Sequence, residues 1–188
     1  PSADNSFAAH HGNITEMDAN FGRLMQALDN DKLRDSTFVM FTSDNGPAIT
    51  PHHPHGSAGP LRDKKGSRYE GGIRVPGLVR WPGQTRPGSV SDEPVCGVDV
   101  LPTLCAAANV SPPTDRKLDG TSFLPVLAGE SLTRSTPLYW HFNRASSATK
   151  IAIRIGNWKL LAALDKNPES RDNNITEQSE RDFKTAEP

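Results

Sequence analysis

Cysteine is scarce in this 188-residue chain: Cys96 and Cys105 are its two thiols, too few for a disulfide framework or a four-cysteine metal cage. Cys105 sits in an apolar helical pattern, where a buried free thiol is the commoner state, so cysteine usage does not identify a redox compartment. Long hydrophobic runs are missing as well, and none approaches the roughly 20 residues that a membrane-spanning helix needs. Nor is one sign of charge in surplus. With 21 basic and 22 acidic residues the net charge is −1, which removes any broad attraction to nucleic acid or an anionic membrane. No basic stripe with interleaved aromatics marks a nucleic-acid-binding module. The opening residues Pro1-Ser2-Ala3-Asp4-Asn5 show no basic segment followed by an apolar one, so no signal peptide is legible there. No internal repeat occurs.

What is present is ordered as helix, strand and polar loop. Ile14, Met17, Phe21, Leu24, Met25 and Leu28 recur at three- and four-residue spacing, which predicts a helix over residues 7–28 with its apolar face on a sheet. Asp29-Asn30-Asp31 closes it. Residues 36–42 (Ser-Thr-Phe-Val-Met-Phe-Thr) are short, apolar and rich in β-formers, and predict a buried strand. A helix followed by a strand fits an α/β fold with a parallel sheet. The strand stops at Ser43-Asp44-Asn45-Gly46-Pro47, placing Asp44 and Asn45 beyond its carboxyl end, where open α/β sheets hold their ligands. A carboxylate and an amide oxygen are hard donors suited to Ca²⁺ or Mg²⁺. Read alone, Asp-Asn-Gly is more often a turn, in which Asn and Asp bond their own backbone.

Residues 46–67, rich in Pro, Gly and His, have the length and irregularity of a functional loop. His52, His53 and His55 invite a metal, but zinc wants four converging ligands, and lining a substrate mouth or facing solvent suits them better. His55 could hydrogen-bond a leaving group. His10 and His11 match no motif, and His141 could flank a pocket or cap a strand. Residues 73–81 predict a second strand. Residues 98–108 predict a helix with Leu101, Leu104 and Cys105 inward and Pro102 tolerated in the first turn. Residues 152–161 alternate around Gly156-Asn157 and predict a β-hairpin. Beyond Asp165 the chain is almost wholly polar, so residues 166–188 are expected to form a poorly ordered tail. Asn13, Asn109 and Asn174 each begin an Asn-x-Ser/Thr triplet, a weak signal for glycosylation.

Several stretches resemble the sulfatase family, in particular the arylsulfatase A-like branch of the alkaline phosphatase superfamily. They run from Met17-Asp18-Ala19-Asn20-Phe21-Gly22 through Ser43-Asp44-Asn45-Gly46 and Lys65-Gly66-Ser67-Arg68-Tyr69-Glu70-Gly71-Gly72-Ile73-Arg74-Val75-Pro76. Arg80-Trp81-Pro82-Gly83, Val98-Asp99-Val100-Leu101-Pro102-Thr103-Leu104 and Asp119-Gly120-Thr121-Ser122-Phe123 continue the match. The resemblance implies an alkaline-phosphatase-like mixed or parallel sheet flanked by helices. It places the catalytic α/β part at residues 1–135 and the start of a smaller antiparallel C-terminal domain at 136–165. It implies a sulfuric ester hydrolase in which Asp44 and Asn45 ligate calcium, in preference to magnesium, and Lys65 contacts the sulfate. Lys64, one residue out of register, serves as the control. Glu70 is expected to be a structural acceptor, and Gly71-Gly72 to allow close backbone packing. The expected partner is a sulfated small molecule or carbohydrate, and the expected location periplasmic, secreted or lysosomal.

The resemblance also shows what is lacking. The family's nucleophile is a Cys or Ser in Cys/Ser-x-Pro-x-Arg, oxidised to formylglycine. Neither Cys96 nor Cys105 fits that motif and no Ser does, so formylglycine is expected upstream and the chain is expected to be an internal to C-terminal piece, inactive alone. Two other readings stay open: a phosphate or phosphonate ester hydrolase of the same superfamily, and a non-catalytic domain binding anion and metal.

Overall fold

A computed structural model describes residues 7–52 and 54–163. His53, Asn174 and the expected polar tail at 166–188 lie outside the described residues. Helix α1 spans Phe7–Asn30, as the periodicity predicts. It ends in a Schellman motif: Leu33 N–H donates to Leu28 O at 2.8 Å and Lys32 N–H to Asp29 O at 3.2 Å. Lys32 takes the left-handed backbone (φ 57°) that glycine usually fills there.

The apolar stripe of α1 does not bury on a sheet. Ile14, Met17 and Leu24 are 45%, 51% and 54% exposed, and Phe21 meets Phe41 edge-on at 5.4 Å. The reason is the size of the sheet beside it. Strands β1 (Val39–Thr42) and β2 (Gly77–Arg80) form a two-stranded antiparallel ribbon, with Val39 opposite Arg80 and Thr42 opposite Gly77. Four residues per strand cannot cover 24 residues of helix. The ribbon is clasped by an edge-on Phe38–Trp81 contact at 5.5 Å and by Thr42 Oγ1 donating to Pro76 O at 2.9 Å. The second strand begins at Gly77, later than residue 73, because residues 70–73 coil into the single-turn helix α2 (Glu70–Ile73).

After β2, a 3-10 turn at Gly97–Asp99 leads into α3 (Val100–Ala107), and α4 (Leu124–Leu127) follows a loop. Pro102 lies in the first turn of α3, where no intrahelical N–H is needed. Cys105 is buried, but Leu101 and Leu104 are 47% and 42% exposed, contrary to expectation. Thr103 takes the inner position instead, because it satisfies two polar groups there. Its Oγ1 donates to Asp99 O at 2.7 Å and accepts from Phe123 N–H at 2.9 Å.

Asp99, fully buried, is the hub of this region. Its carboxylate accepts from Cys96 N–H (2.7 Å), Thr121 N–H (2.8 Å) and both terminal nitrogens of Arg134 (2.8 and 2.6 Å). Gly120 lies against the Val98 carbonyl so closely that a Cβ would fall 1.9 Å from its oxygen. The Val98–Leu104 and Asp119–Phe123 motifs are therefore two halves of one packed unit.

Strands β3 (Leu138–His141), β4 (Ile151–Ile155) and β5 (Trp158–Ala162) form an antiparallel sheet in that order. The predicted hairpin is β4–β5, turning at Gly156-Asn157 with Gly156 at positive φ, as a first-position hairpin glycine requires. Among the described residues every strand pair is antiparallel, and the expected parallel sheet is not formed by this chain's own strands. A parallel pair needs a crossover of a dozen or more residues, usually helical, and the path from β1 to β2 carries only the one turn of α2.

Candidate active site

The loop after β1 and the loop before α2 are stitched together through their backbones. Gly46 N–H donates to Gly72 O (2.9 Å), Lys65 N–H to Pro47 O (3.0 Å), and Gly71 N–H to Arg62 O (2.7 Å). Such close approach leaves no room for side chains. A Cβ on Gly46 would lie 1.8 Å from Gly71 O, one on Gly71 2.1 Å from Asp63 O, and one on Gly72 2.4 Å from Ser67 O. The expectation that Gly71-Gly72 serves packing is met, and Gly46 belongs to the same contact.

These stitches bring distant residues to one cavity of about 720 Å³, lined among others by Asp44, Asn45, Ser57, Lys65 and Arg74. That volume lies within the range of small-molecule sites. Asp44 and Asn45 follow the end of β1, and their side chains have no protein partner among the described residues. Both present oxygen donors, the chemistry that calcium or magnesium selects. Two protein oxygens are fewer than such an ion takes, and among the described residues no group of three or more His, Cys, Asp or Glu could hold a metal.

Lys65 also lines the cavity and has no side-chain partner among the described residues. Its neighbour is spent elsewhere: Lys64 Nζ donates to the Ile49 carbonyl and is half-buried. Structure thus separates two lysines that composition cannot. Arg74, at the C-terminal end of α2, is a cavity residue that the sequence reading missed. Only its place after Gly71-Gly72, on the same stitched turn, could have signalled it.

The Lys65 loop is braced from behind by the three-stranded sheet. Ser146 N–H, between β3 and β4, donates to Gly66 O at 2.8 Å. Glu70 accepts from Lys159 Nζ and lies 3.9 Å from the Arg154 guanidinium, the structural-acceptor role expected of it. Burial holds the Lys159 ammonium below its ordinary value of 10.5, and Glu70 offsets only part of that effect. Burial likewise lowers Arg68, which sits over the Phe142 ring at 5.2 Å.

None of the described histidines is among the residues that line this cavity. His55 packs against Phe7 (5.5 Å) and His10 (5.8 Å) near the start of α1, His52 is exposed, and neither is among the lining residues. Packing of the loop against α1 leaves His55 outside the residues that line the cavity. Cys96 and Cys105 are free thiols, and neither lines the cavity.

Comparison with known proteins gives the same picture from outside. The family profile "Sulfatase" matches residues 2–110, and the profile "N-sulphoglucosamine sulphohydrolase, C-terminal" matches 61–175. Steryl-sulfatase of Mus musculus is 39% identical over 154 residues, 76% of this chain and 25% of that protein. Arylsulfatase A of Homo sapiens is 37% identical over 161 residues, covering 82% and 31%. The chain spans about a quarter of the length of the first curated relatives it matches. Among solved structures, Ps i-CgsB in complex with k-i-k-neocarrahexaose superposes with a TM-score of 0.74 at 28% identity, over 93% of this chain and 40% of that one. A protein in complex with its substrate D-glucosamine-2-N,6-O-disulfate gives 0.62 at 26%, over 82% and 31%. The phosphonate monoester hydrolase of Agrobacterium radiobacter gives 0.59 at 25%, over 83% and 32%. Motif register, a cavity gathering those motifs, and a profile match over residues 2–110 agree that this chain belongs to the sulfatase family.

Proposed function

We propose that this chain contributes to a sulfuric ester hydrolase that cleaves sulfate monoesters with a divalent cation. The observation that carries the reading is the convergence of Asp44, Asn45 and Lys65 on one cavity from loops 20 residues apart in sequence. Asp44 and Asn45 would supply two oxygens to a calcium ion, the hard donor set fitting calcium or magnesium rather than zinc. When bound, such an ion supplies positive charge beside the sulfate oxygens. Lys65 holds its ammonium at the anion, where it counters charge arriving on the leaving oxygen as the S–O bond breaks. The backbone stitches fix both loops before substrate arrives, so ordering them costs nothing at the moment of reaction.

Residues 1–135 form part of the catalytic α/β domain in this reading, and the sheet from Leu138 onward opens the smaller domain. A sulfated carbohydrate is the favoured substrate class, supported by the two neighbours bound to carbohydrate. Release of such substrates outside the cytosol, in a periplasmic, secreted or lysosomal setting, accords with the family. Phosphonate ester hydrolysis is the second reading, supported by the Agrobacterium neighbour. An anion held by a metal and a lysine serves either chemistry.

The test is to produce the whole reading frame that encodes this chain, in a host that converts Cys/Ser-x-Pro-x-Arg to formylglycine. Sulfate release from 4-nitrophenyl sulfate should be abolished by chelation and restored by calcium. Removal of one preorganised electrostatic contact, as in Asp44→Ala or Lys65→Ala, should cost on the order of 10²–10³ in rate. Faster release of 4-nitrophenol from an aryl phosphonate would favour the second reading. Anion and calcium binding without turnover of either would leave a non-catalytic binding domain.

A further inference from the structure

Of the chain's asparagines, Asn45 alone precedes a glycine. That pair is chemically labile, because a glycine leaves its backbone nitrogen unshielded and able to reach the side-chain amide carbon one residue back. The fold nevertheless forces the pair. Gly46 admits no side chain, since a Cβ would lie 1.8 Å from Gly71 O, and Asn45 lines the cavity as one of the two oxygen donors beyond β1.

No protein group among the described residues bonds the Asn45 side-chain amide. Its peptide link to Gly46, by contrast, is held at both polar atoms. The Asn45 carbonyl oxygen accepts from Ser43 Oγ at 3.0 Å, and Gly46 N–H donates to Gly72 O at 2.9 Å. Gly46 is buried and Asn45 half-buried, so the clamp lies on the attacking nitrogen and not on the amide it would attack. Ring closure needs that N–H freed and its peptide turned toward the side chain, and the closed turn opposes both.

We propose that Asn45 is a site of spontaneous deamidation, and that the stitch from Gly46 to Gly72 holds the conversion off while the turn stays closed. In this step the Gly46 nitrogen gives up its proton and attacks Cγ of Asn45. The N–Cγ bond forms, the Cγ–Nδ2 bond breaks, and the side-chain nitrogen leaves with that proton as ammonia. Water then opens the succinimide at either carbonyl, giving aspartate or isoaspartate. Either product adds a negative charge at the cavity, and isoaspartate also lengthens the backbone by one methylene at the expense of the side chain. The conversion is independent of the sulfatase reading, whereas its effect on a bound calcium ion rests on that reading.

The test follows Asn45 in the protein from the whole reading frame, incubated in mildly alkaline buffer beside a synthetic peptide of residues 41–49 as the unclamped reference. Peptide mapping by mass spectrometry counts the exchange of NH₂ for OH, and enzymatic methylation counts isoaspartate. Breaking one hydrogen bond sets the scale, so the folded protein should convert about 10-fold more slowly than the peptide, or slower still. Gly71→Ala, whose Cβ meets the Asp63 carbonyl, should speed conversion toward the peptide rate. Unfolding alone would also speed that variant, so hydrogen exchange at Gly46 N–H is followed in the wild type. Both processes need the same opening, and low denaturant should accelerate them by the same factor. A peptide that does not convert, a folded wild type that converts at the peptide rate, or exchange and conversion that respond differently to denaturant overturns the proposal. Isoaspartate-bearing protein should bind calcium about 10-fold or more weakly by calorimetry. Calcium affinity that is absent, or unmoved by conversion, keeps the clamp and sinks the assignment of Asn45 as a ligand instead.

Discussion

Glu70, on the one-turn helix α2, accepts a hydrogen bond from the ammonium of Lys159 on β5, 89 residues further along the chain. The contact ties the loop bearing Lys65 to the three-stranded sheet. Because burial lowers Lys159, the folded chain holds that proton less tightly than the unfolded chain does. Between the two pKa values the unfolded state binds more protons, so stability rises with pH across a window that ends near 10.5. Glu70→Gln removes the group that offsets burial, and should cost about 1–3 kcal/mol at neutral pH through the stranded ammonium. It should also move the start of the rise to lower pH. Urea titrations at neutral pH and at a pH just below 10.5 check both expectations; identical pH slopes in the two proteins would show that the pair is not coupled.

Glycines at the stitched turn and in α1 should respond oppositely to a methyl group. Gly71→Ala places Cβ 2.1 Å from the Asp63 carbonyl oxygen, a backbone atom that cannot swing aside. Overpacking of this kind should destabilise by about 2–3 kcal/mol, and the strain should reach the Asp44 loop, which is bonded to the same turn. Gly12, in α1, has nothing within 4 Å, and Gly12→Ala should stabilise by up to about 1 kcal/mol through helix propensity. Thermal unfolding of the two variants measures the contrast. A neutral Gly71→Ala would show that the turn relaxes freely.

Asp99 and Arg134 pair at 2.6 Å with the carboxylate wholly buried. Breaking the pair leaves a charge in the interior without its counterpart, so Asp99→Asn and Arg134→Met should each cost about 3–5 kcal/mol. The double variant should lose less than the sum, because neither charge is then stranded. Denaturant unfolding of the two singles and the double gives the coupling directly. Additive losses would mean that the backbone N–H groups, and not Arg134, are what the carboxylate satisfies.

Local pattern made α1 and the β4–β5 hairpin legible in sequence, because both depend on residues a few positions apart. The same holds for Asp44, Asn45 and Lys65 as cavity residues, through motif register and the strand end at Thr42. Sheet direction was not legible, since pairing β1 with β2 depends on a 34-residue excursion and on nothing local to either strand. Nor was the inward face of α3. Hydrophobicity favoured Leu101 and Leu104, whereas Thr103 is buried because Asp99 and Phe123 offer it backbone partners. Arg74 was missed for a related reason: an arginine in a polar loop is usually solvated, and only the stitched turn that carries it brings it to the cavity.

Lys64 and Lys65 are adjacent, equally charged and differently used, which makes them a matched pair for testing the proposed hydrolase site in the protein from the whole reading frame. Lys64 Nζ is committed to the Ile49 carbonyl, so Lys64→Ala should loosen the 46–67 loop and lower stability by about 1 kcal/mol, while altering sulfate-ester turnover only a few-fold. Lys65 anchors nothing through its side chain among the described residues and faces the cavity. Lys65→Ala should leave the unfolding midpoint where it was and reduce kcat/KM by about 10²–10³, with most of the loss in kcat, as expected for a contact that strengthens as charge develops. Lys65→Arg should recover little of that, because a planar fork does not replace a point charge at the same reach. Parallel measurement of midpoint and turnover in the three variants decides the assignment. If Lys64→Ala were the variant that lost turnover, the register that places Lys65 at the anion would be wrong by one residue.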